Sequence, residues 1–116
     1  MKIKRQKPYK HDRVSSEIER IITEVIAYEI IDPRVIGNCE VTGITLSSDY
    51  SYCKVYVEIT SDDKKEVLDG LKNANGFIRH IIVDQLGLRK VPELSFVIDD
   101  TKEKASRIDE LLAQIK

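Results

Sequence analysis

Apolar residues recur at helical spacing between residues 63 and 87. Residues three or four positions apart lie on one face of a helix, and this stripe consists of Val67, Leu68, Leu71, Ala74, Ile78, Ile81, Ile82 and Leu86. The tetrapeptide Asn73-Ala74-Asn75-Gly76 interrupts the stripe, and glycine costs about 1 kcal/mol relative to alanine inside a helix. We therefore predict two short helices that share one buried face and meet at a kink.

A second helical stripe predicts a helix that begins near Asp12. Its apolar members are Val14, Ile18, Ile21, Ile22, Val25 and Ile26. Because Pro33 disfavours a helical conformation at Asp32, we expect this helix to end near Ile30 or Ile31. The residues before it are rich in cations and show no periodicity, so we predict that residues 1–10 form a flexible basic segment.

Alternating patterns between these helices predict an antiparallel hairpin. Residues 40–47 place Thr42, Ile44 and Leu46 on one side, and Gly43 indicates a bulge or a close backbone neighbour. Residues 48–51 form the turn. In residues 52–60 the inward positions are Cys53, Val55, Val57 and Ile59, and the outward positions are Tyr52, Lys54, Tyr56 and Glu58. The hairpin is therefore expected to have one covered face.

Two further elements complete the predicted order. Residues 93–99 alternate as a third strand, with Leu94, Phe96 and Ile98 on one side. Thr101 can cap a terminal helix over residues 102–115, whose apolar stripe is narrow. The expected division is a basic segment at residues 1–10, one folded domain at residues 11–99 and a C-terminal helix or tail at residues 100–116.

Length and composition are those of one ordinary globular domain. The chain has 116 residues, 41% of them hydrophobic and 34% charged, and it contains no membrane-length apolar run. The first ten residues lack the apolar core of a secretory signal, so we expect a cytoplasmic protein without membrane contact. Cys39 and Cys53 fall on adjacent strands outside any metal-binding spacing, and we expect reduced packing residues.

The formal net charge of -1 conceals an uneven distribution. Residues 1–20 carry net +4, residues 21–70 net -6, residues 71–92 net +3 and residues 93–116 net -2. A basic amino terminus and a basic helix with its following loop are compatible with a local footprint on nucleic acid. The same charges can equally serve only to solvate the surface.

The kink is a candidate anion site. Breaking the helical hydrogen-bond ladder leaves amides around Gly76 to Ile78 in need of outside acceptors. Lys72, Asn75 and Arg79 lie at helical spacing on the side away from the stripe, and His80 is beside them. A phosphate at this point would meet helix amides and cations together. The alternative is that Gly76 only lets another part of the chain pack closely.

Residue patterns for catalysis or metal binding are absent from the sequence. Asp62 and Asp63, like Asp99 and Asp100, precede predicted helices and are better explained as caps than as acid–base pairs. His11 and His80 have no ligand spacing to each other or to the cysteines. We therefore expect a protein that is not an enzyme, with no metal, no cofactor and no small-molecule substrate.

The order of one helix, a hairpin, a broken helix pair and a third strand is similar to the type II KH fold. KH domains grip single-stranded nucleic acid with a GxxG loop, which this sequence lacks. Instead, Ala74-Asn75-Gly76 resembles the Ala-x-Gly helix-kink-helix element of the ribosome-binding factor A family, with Phe77 and Arg79 following. Further matching segments are Asp32-Pro33-Arg34, Val41-Thr42, Ser48-Asp49-Tyr50, Lys54-Val55-Tyr56-Val57, Leu88-Arg89, Pro92-Glu93-Leu94, Phe96 and Asp99.

The resemblance implies an α+β, KH-like domain (αββααβ) with a three-stranded sheet, helices on one face and an added C-terminal helix. It also implies a non-enzymatic, monomeric assembly factor that binds the 30S ribosomal subunit and its 16S rRNA. Such a factor supports late maturation, including 16S rRNA 5'-end processing and ribosome biogenesis in the cold.

Candidate RNA contacts fall into two groups. The first comprises Lys72, Asn75, Gly76, Arg79, His80, Arg89 and Lys90, and the secondary basic contacts are Lys4, Arg5, Lys7, Lys10 and Arg13. Outward Tyr52 and Tyr56 can stack bases or act as ordinary strand formers. The alternative function is a protein-interaction module that docks ribosomal or other proteins, with only incidental RNA contact.

Overall fold

The computed structural model of the chain describes residues 6–101, with side chains from residue 10 onward. Its elements are α1 (Gln6–Tyr28), β1 (Cys39–Leu46), β2 (Tyr52–Ile59), α2 (Lys64–Asn73), α3 (Asn75–Leu86) and β3 (Glu93–Ile98). This order confirms the predicted αββααβ arrangement. The predicted C-terminal helix lies outside the described residues.

The three strands form one mixed sheet in the order β1-β2-β3. β1 and β2 pair antiparallel, while β2 and β3 pair parallel. Along β2 the side chains of Cys53, Val55, Val57 and Ile59 are buried, and the residues between them are partly or fully exposed. One face of the sheet is therefore covered by helices, as predicted.

Because of a bulge in β1, one residue does not lie on the face of the sheet that the sequence predicts. The register moves from Val41 opposite Val57 to Gly43 opposite Tyr56, which leaves Thr42 as the extra residue. Thr42 is exposed, and its hydroxyl donates to Asp99 Oδ2 at 2.6 Å. The bulge near Gly43 was predicted, but the placement of Thr42 with Ile44 and Leu46 was wrong because an extra residue reverses the alternation.

The limits of α1 differ from the prediction at both ends. The helix begins at Gln6, so residues 6–10, which were assigned to a flexible segment, form its first turns. Pro8 is compatible with this start because the first turn of a helix needs no intrahelical amide donor. The helix ends at Tyr28, and the amide of Ile30 donates to the carbonyl of Val25 at 3.0 Å.

The predicted kink is present, and it lies at Ala74. This residue separates α2 from α3 with φ -85° and ψ -4°, and its amide contacts the carbonyls of Gly70 and Leu71. Asp63 caps α2 by accepting a hydrogen bond from the Glu66 amide at 3.1 Å. Gly87, in the left-handed conformation, ends α3. These signals at both ends define two helices rather than one.

Close packing in this region involves Gly70 rather than Gly76. A Cβ atom added to Gly70 would lie 2.7 Å from Cγ2 of Val35, a side chain that is 1% exposed. A Cβ atom on Gly76 would meet nothing within 4 Å. The alternative explanation of Gly76, close packing, is therefore wrong, and Gly70 is the residue that lets α2 lie against the segment after α1.

The helices bury one continuous apolar core on the sheet. Its fully buried members include Ile18 and Ile22 of α1, Leu71 of α2, and Ile78 and Ile82 of α3. Among the described residues, no helix is both long and apolar enough to cross a membrane.

Candidate nucleic-acid interface

Residues from three separate elements line a groove of about 340 Å³ at the start of β2 and β3, which we call the basic groove. Its lining residues are Lys10, Val14, Asp49, Tyr50, Leu88, Arg89 and Lys90. The three cations and one carboxylate give it a net charge of +2. Lys10 comes from α1, whereas Arg89 and Lys90 come from the α3–β3 loop. The structure thus brings Lys10 together with Arg89 and Lys90, which lie 79 or more positions after it in the sequence.

Asp49, the only acidic group of this groove, is hydrogen-bonded to residues of the turn that joins β1 and β2. Asp49 Oδ1 accepts hydrogen bonds from the Ser47 hydroxyl at 2.9 Å and the Ser51 amide at 3.1 Å, and Oδ2 accepts from the Ser51 hydroxyl at 2.8 Å. The hydrogen bonds from Ser51, then that from Ser47, lower the pKa of Asp49 to about 2, and nearby Lys90 adds to the effect. Asp49 therefore stabilises the turn as a charged carboxylate.

Tyr50 projects from this turn in an uncommon backbone conformation. Among the described residues it is the only one other than glycine with a positive φ, 64°, a region that costs a side-chain-bearing residue on the order of 1 kcal/mol or more. Its ring lies 5.4 Å from the His11 ring at an angle of 34°. His11 Nε2 is 3.1 Å from the Ser47 carbonyl oxygen. α1 and the turn thus contact each other beside the groove.

The α3–β3 loop is attached on both sides. Lys90 Nζ donates to the Ser51 hydroxyl at 2.8 Å, and the Glu93 amide donates to the Ser51 carbonyl at 2.9 Å. From α3, Arg79 Nη2 donates to the Val91 carbonyl at 3.4 Å. These contacts place Arg89 and Lys90 next to the turn.

Contrary to the prediction, Asn75 and Arg79 do not face solvent. The Asn75 amide group donates to the Leu94 carbonyl at 3.3 Å, and both side chains are partly buried. Asn75 Oδ1 and Arg79 Nε are also buried, without a hydrogen-bond partner among the described residues. The prediction continued the phase of α2 through the kink, but in α3 these residues precede buried Ile78 and Ile82 by three positions and share their face.

The other predicted kink residues lie on the surface away from the basic groove. Lys72, Gly76 and His80 are exposed, and none of them lines that groove. His80 Nε2 lies 3.3 Å from Asp84 Oδ2 one helical turn later. α3 begins without a side-chain cap, but the Ile78 amide donates to the Ala74 carbonyl at 3.0 Å, so the prediction that this amide needs an outside acceptor was wrong.

Beside the kink is a second groove of about 330 Å³, which we call the apolar groove. Its lining residues are Glu29, Ile30, Ile31, Asp32, Gly70, Asn73, Ala74 and Phe77. Ile31 is 86% exposed and Phe77 is 47% exposed. Arg34 pairs with Asp32 at 2.6 Å, and its hydrogen bonds lower the pKa of that carboxyl group. The kink is therefore bordered by apolar and acidic groups as well as by Lys72.

Two of the predicted amino-terminal contacts are exposed side chains of α1. Lys10 and Arg13 are exposed on α1, whereas Lys4 and Arg5 lie outside the described residues. Lys7 is in the first turn of α1. Within residues 6–101, no group of three or more histidine, cysteine or acidic residues could hold a metal ion. Burial raises the pKa of the Cys39 and Cys53 thiols to about 11, which keeps both protonated near neutral pH.

Sequence reasoning missed Tyr50, Asp49 and His11 as parts of the candidate interface. A local signal existed for Asp49, because an aspartate between serines is typical of a side-chain-stabilised turn. Nothing in the sequence indicated that α1 would place Lys10 and His11 against that turn. This contact depends on how far α1 extends towards the amino terminus.

The three-stranded sheet, the helices on one face and the broken helix define a KH-like α+β domain, a class that includes small RNA-binding modules. The ribosome-binding factor A family model matches residues 10–112. A similar protein, ribosome-binding factor A of Clostridium botulinum (strain Eklund 17B / Type B), is 39% identical over 111 residues, which cover 93% of this chain and 96% of the relative. The chain belongs to the ribosome-binding factor A family, as its sequence motifs predicted.

Comparisons with known structures agree with this assignment. The crystal structure of ribosome-binding factor A from Thermus thermophilus has a TM-score of 0.68 at 25% identity, covering 75% of this chain and 92% of that chain. A Thermus thermophilus ribosome binding factor A homology model, fitted into a cryo-EM map of a 30S complex, has a TM-score of 0.56 at 26% identity. It covers 72% of this chain and 93% of that chain.

Proposed function

We propose that this protein is an assembly factor that binds the 30S ribosomal subunit, contacts 16S rRNA and supports late maturation of the subunit. The maturation includes processing of the 16S rRNA 5' end and matters most in the cold. The protein acts in the cytoplasm as a monomer, by binding alone, without a metal, a cofactor or a small-molecule substrate.

The observation that carries this proposal is the basic groove. Lys10, Arg89 and Lys90 surround one depression although they belong to two distant parts of the chain. The carboxylate of Asp49 is hydrogen-bonded to Ser47 and Ser51, and the lining residues of the groove still carry a net charge of +2. Clustered cations next to an aromatic ring are suited to the phosphates and bases of RNA.

Family membership supports the choice of RNA and of ribosomal partner. The related Thermus thermophilus factor is described in a complex with the 30S subunit, and we transfer this partner to the present chain as part of the proposal. Lys72, Gly76 and His80 on the exposed side of the kink form a second proposed contact area. Asn75 and Arg79 contribute by holding α3 against β3 and the loop that carries Arg89.

Assembly support follows from differential affinity. A factor that binds one conformation of the maturing rRNA more tightly than its alternatives shifts the population towards that conformation. It dissociates when the mature surface no longer fits. No catalytic group is needed for this effect, because the binding free energy itself changes the equilibrium.

A salt titration of binding to purified 30S subunits tests the proposal. Each phosphate contact releases counterions, so the slope of log affinity against log salt grows with the number of contacts. We expect a steep fall for the native protein, and a slope smaller by about 1 for the double variant Arg89→Gln, Lys90→Gln, because Arg89 is the exposed phosphate contact of the pair. Because Lys90 also contacts Ser51, the folded fraction of each protein is measured in parallel.

The matched control removes two exposed cations elsewhere. Lys54 lies on the outer face of β2 and Lys65 on α2, so Lys54→Gln, Lys65→Gln changes the total charge equally. We expect this control to retain the native slope. Binding that is insensitive to salt, or equal losses in both double variants, would contradict RNA contact through the basic groove.

A second candidate function rests on the apolar groove. Exposed Ile31 and Phe77 beside Ala74 form an apolar surface with Glu29 at its edge, which suits protein contact better than phosphate contact. This observation favours a module that docks a ribosomal protein with incidental RNA contact. In that case Phe77→Ser would abolish 30S binding, whereas the Arg89→Gln, Lys90→Gln variant would bind normally.

A further inference from the structure

We infer that the basic groove holds one unstacked nucleotide of single-stranded RNA, with its base against Tyr50 and Leu88 and its phosphates against Arg89 and Lys10. This inference rests on the proposed function and adds the kind of RNA that the groove recognises. It concerns a different place from the kink, because none of residues 73–77 lines this groove.

The shape and lining of the groove support a base together with a phosphate. Its volume of about 340 Å³ falls within the range of roughly 300–1,000 Å³ that is common for small-ligand pockets. Val14, Tyr50 and Leu88 provide partly buried apolar surface, while Lys10 and Arg89 are exposed at its edge. An apolar floor with a cationic edge matches the two chemical parts of a nucleotide.

Tyr50 is positioned for contact with a base. The turn holds it at φ 64°, and its amide donates to the Ser47 carbonyl at 3.0 Å. Since His11 lies against the ring, the orientation of Tyr50 is set from both the turn and α1. A ring fixed in this way loses little conformational freedom when a base stacks on it, and stacking on aromatic side chains is the usual way that proteins hold unpaired bases.

Among the described residues, a hydrogen bond engages Lys90 of the three cations in the groove. Lys90 is engaged with the Ser51 hydroxyl and mainly holds the loop to the turn. Arg89, the preceding residue, is exposed, and its planar guanidinium group suits bidentate contact with a phosphate. A base-paired RNA cannot place a base in the groove, because its bases are stacked inside the helix.

The test follows backbone amide NMR spectra of the full chain during titration with three probes. These are a seven-nucleotide oligouridylate, the same phosphate backbone without bases, and an RNA duplex. We expect oligouridylate to shift the amides of Tyr50, Leu88 and Arg89. The abasic strand should bind about tenfold more weakly, which corresponds to about 1.4 kcal/mol, and the duplex should leave Tyr50 unshifted.

Two variants connect the groove to the ribosome. Tyr50→Asn removes the ring but suits the left-handed backbone, since asparagine adopts this conformation more readily than most residues, whereas Tyr50→Phe keeps the ring. We expect Tyr50→Asn to lose about tenfold in affinity for 30S subunits and Tyr50→Phe to bind like the native protein.

Several outcomes would overturn the inference. Equal binding of abasic strand and oligouridylate would remove the base pocket, as would amide shifts confined to residues 73–77. Both comparisons use the native protein, so they hold even if Tyr50→Asn does not fold. Normal 30S binding by folded Tyr50→Asn would also reject the pocket while leaving the proposed function intact. Failure of the native protein to bind 30S subunits would instead reject the proposed function.

Discussion

At the scale of single residues, Asp49 shows how an exposed side chain can hold a turn. Its two oxygens accept hydrogen bonds from Ser47 and Ser51, and these bonds favour the charged form. The pKa of the carboxyl group falls to about 2 from an ordinary value near 3.9. Asp49 therefore stabilises the folded state above about pH 4, and this contribution is lost as the pH falls towards 2.

We predict that the stability of Asp49→Asn falls less steeply at acidic pH than the stability of the native protein. Relative to the native protein, the variant should have a lower urea midpoint at pH 6, and the difference should shrink as the pH falls from about 4 to 2. Urea unfolding at several pH values measures this. Asp62→Asn, which removes an exposed carboxylate from the segment before α2, is the charge-matched control. A constant difference between the native protein and Asp49→Asn would contradict the prediction.

Single-residue roles were the least predictable part of the candidate site. Asn75 and Arg79 are polar in sequence, yet they bond to the backbone of β3 and its preceding loop. The spacing to Ile78 and Ile82 within α3 contained this information, but only once the exact break in the helix was known. The groove between Lys10 and Arg89 depends on long-range packing, which no local pattern encodes.

At the scale of elements, the broken helix contains two glycines with opposite requirements. Gly70 lies against Val35, whereas Gly76 has open space around it. Alanine in place of glycine favours a helix by up to about 1 kcal/mol, but a methyl group forced into a packed contact costs about 1–3 kcal/mol. The two effects oppose each other at Gly70, and only the first acts at Gly76.

We predict that Gly70→Ala lowers the free energy of unfolding by about 1–2 kcal/mol and that Gly76→Ala raises it by up to about 1 kcal/mol. Each variant serves as the control for the other, because both make the same chemical change in the same helix pair. Chemical denaturation with an unchanged m-value provides the measurement. Destabilisation by Gly76→Ala would show that this residue has a packing role that the structure does not contain.

Element order was predictable because each element has a strong local signal. Alternation along β2 and helical stripes in α1, α2 and α3 follow directly from which side chains are buried. The ends of elements were less predictable, as the start of α1 at Gln6 shows. The bulge was indicated by Gly43, but which neighbour became the extra residue depended on pairing with β2.

At the scale of the whole molecule, the core is built around the central strand. Cys53 of β2 is 0% exposed, and its burial raises the thiol pKa to about 11. An unfolded cysteine has a pKa near 8.5 and reacts through its thiolate. Reaction at pH 8 therefore requires that the core open first.

We predict that a thiol reagent labels Cys53 only through global unfolding. In a Cys39→Ser background, the labelling rate at pH 8 should rise with urea, with the same dependence as the equilibrium unfolding of the protein. Circular dichroism on the same samples supplies that equilibrium curve. A labelling rate that is independent of urea would mean that reagent reaches the centre of the sheet by local motion.

The bulge at Thr42 also has a consequence for the protein at high concentration. β1 is an outer strand of the sheet, and outer strands can recruit extended segments of other molecules. The extra residue interrupts the regular spacing of backbone donors and acceptors halfway along β1, so an incoming segment can match only a few of them at a time. The bulge in β1 therefore disfavours fibril-like stacking of copies along this edge of the sheet.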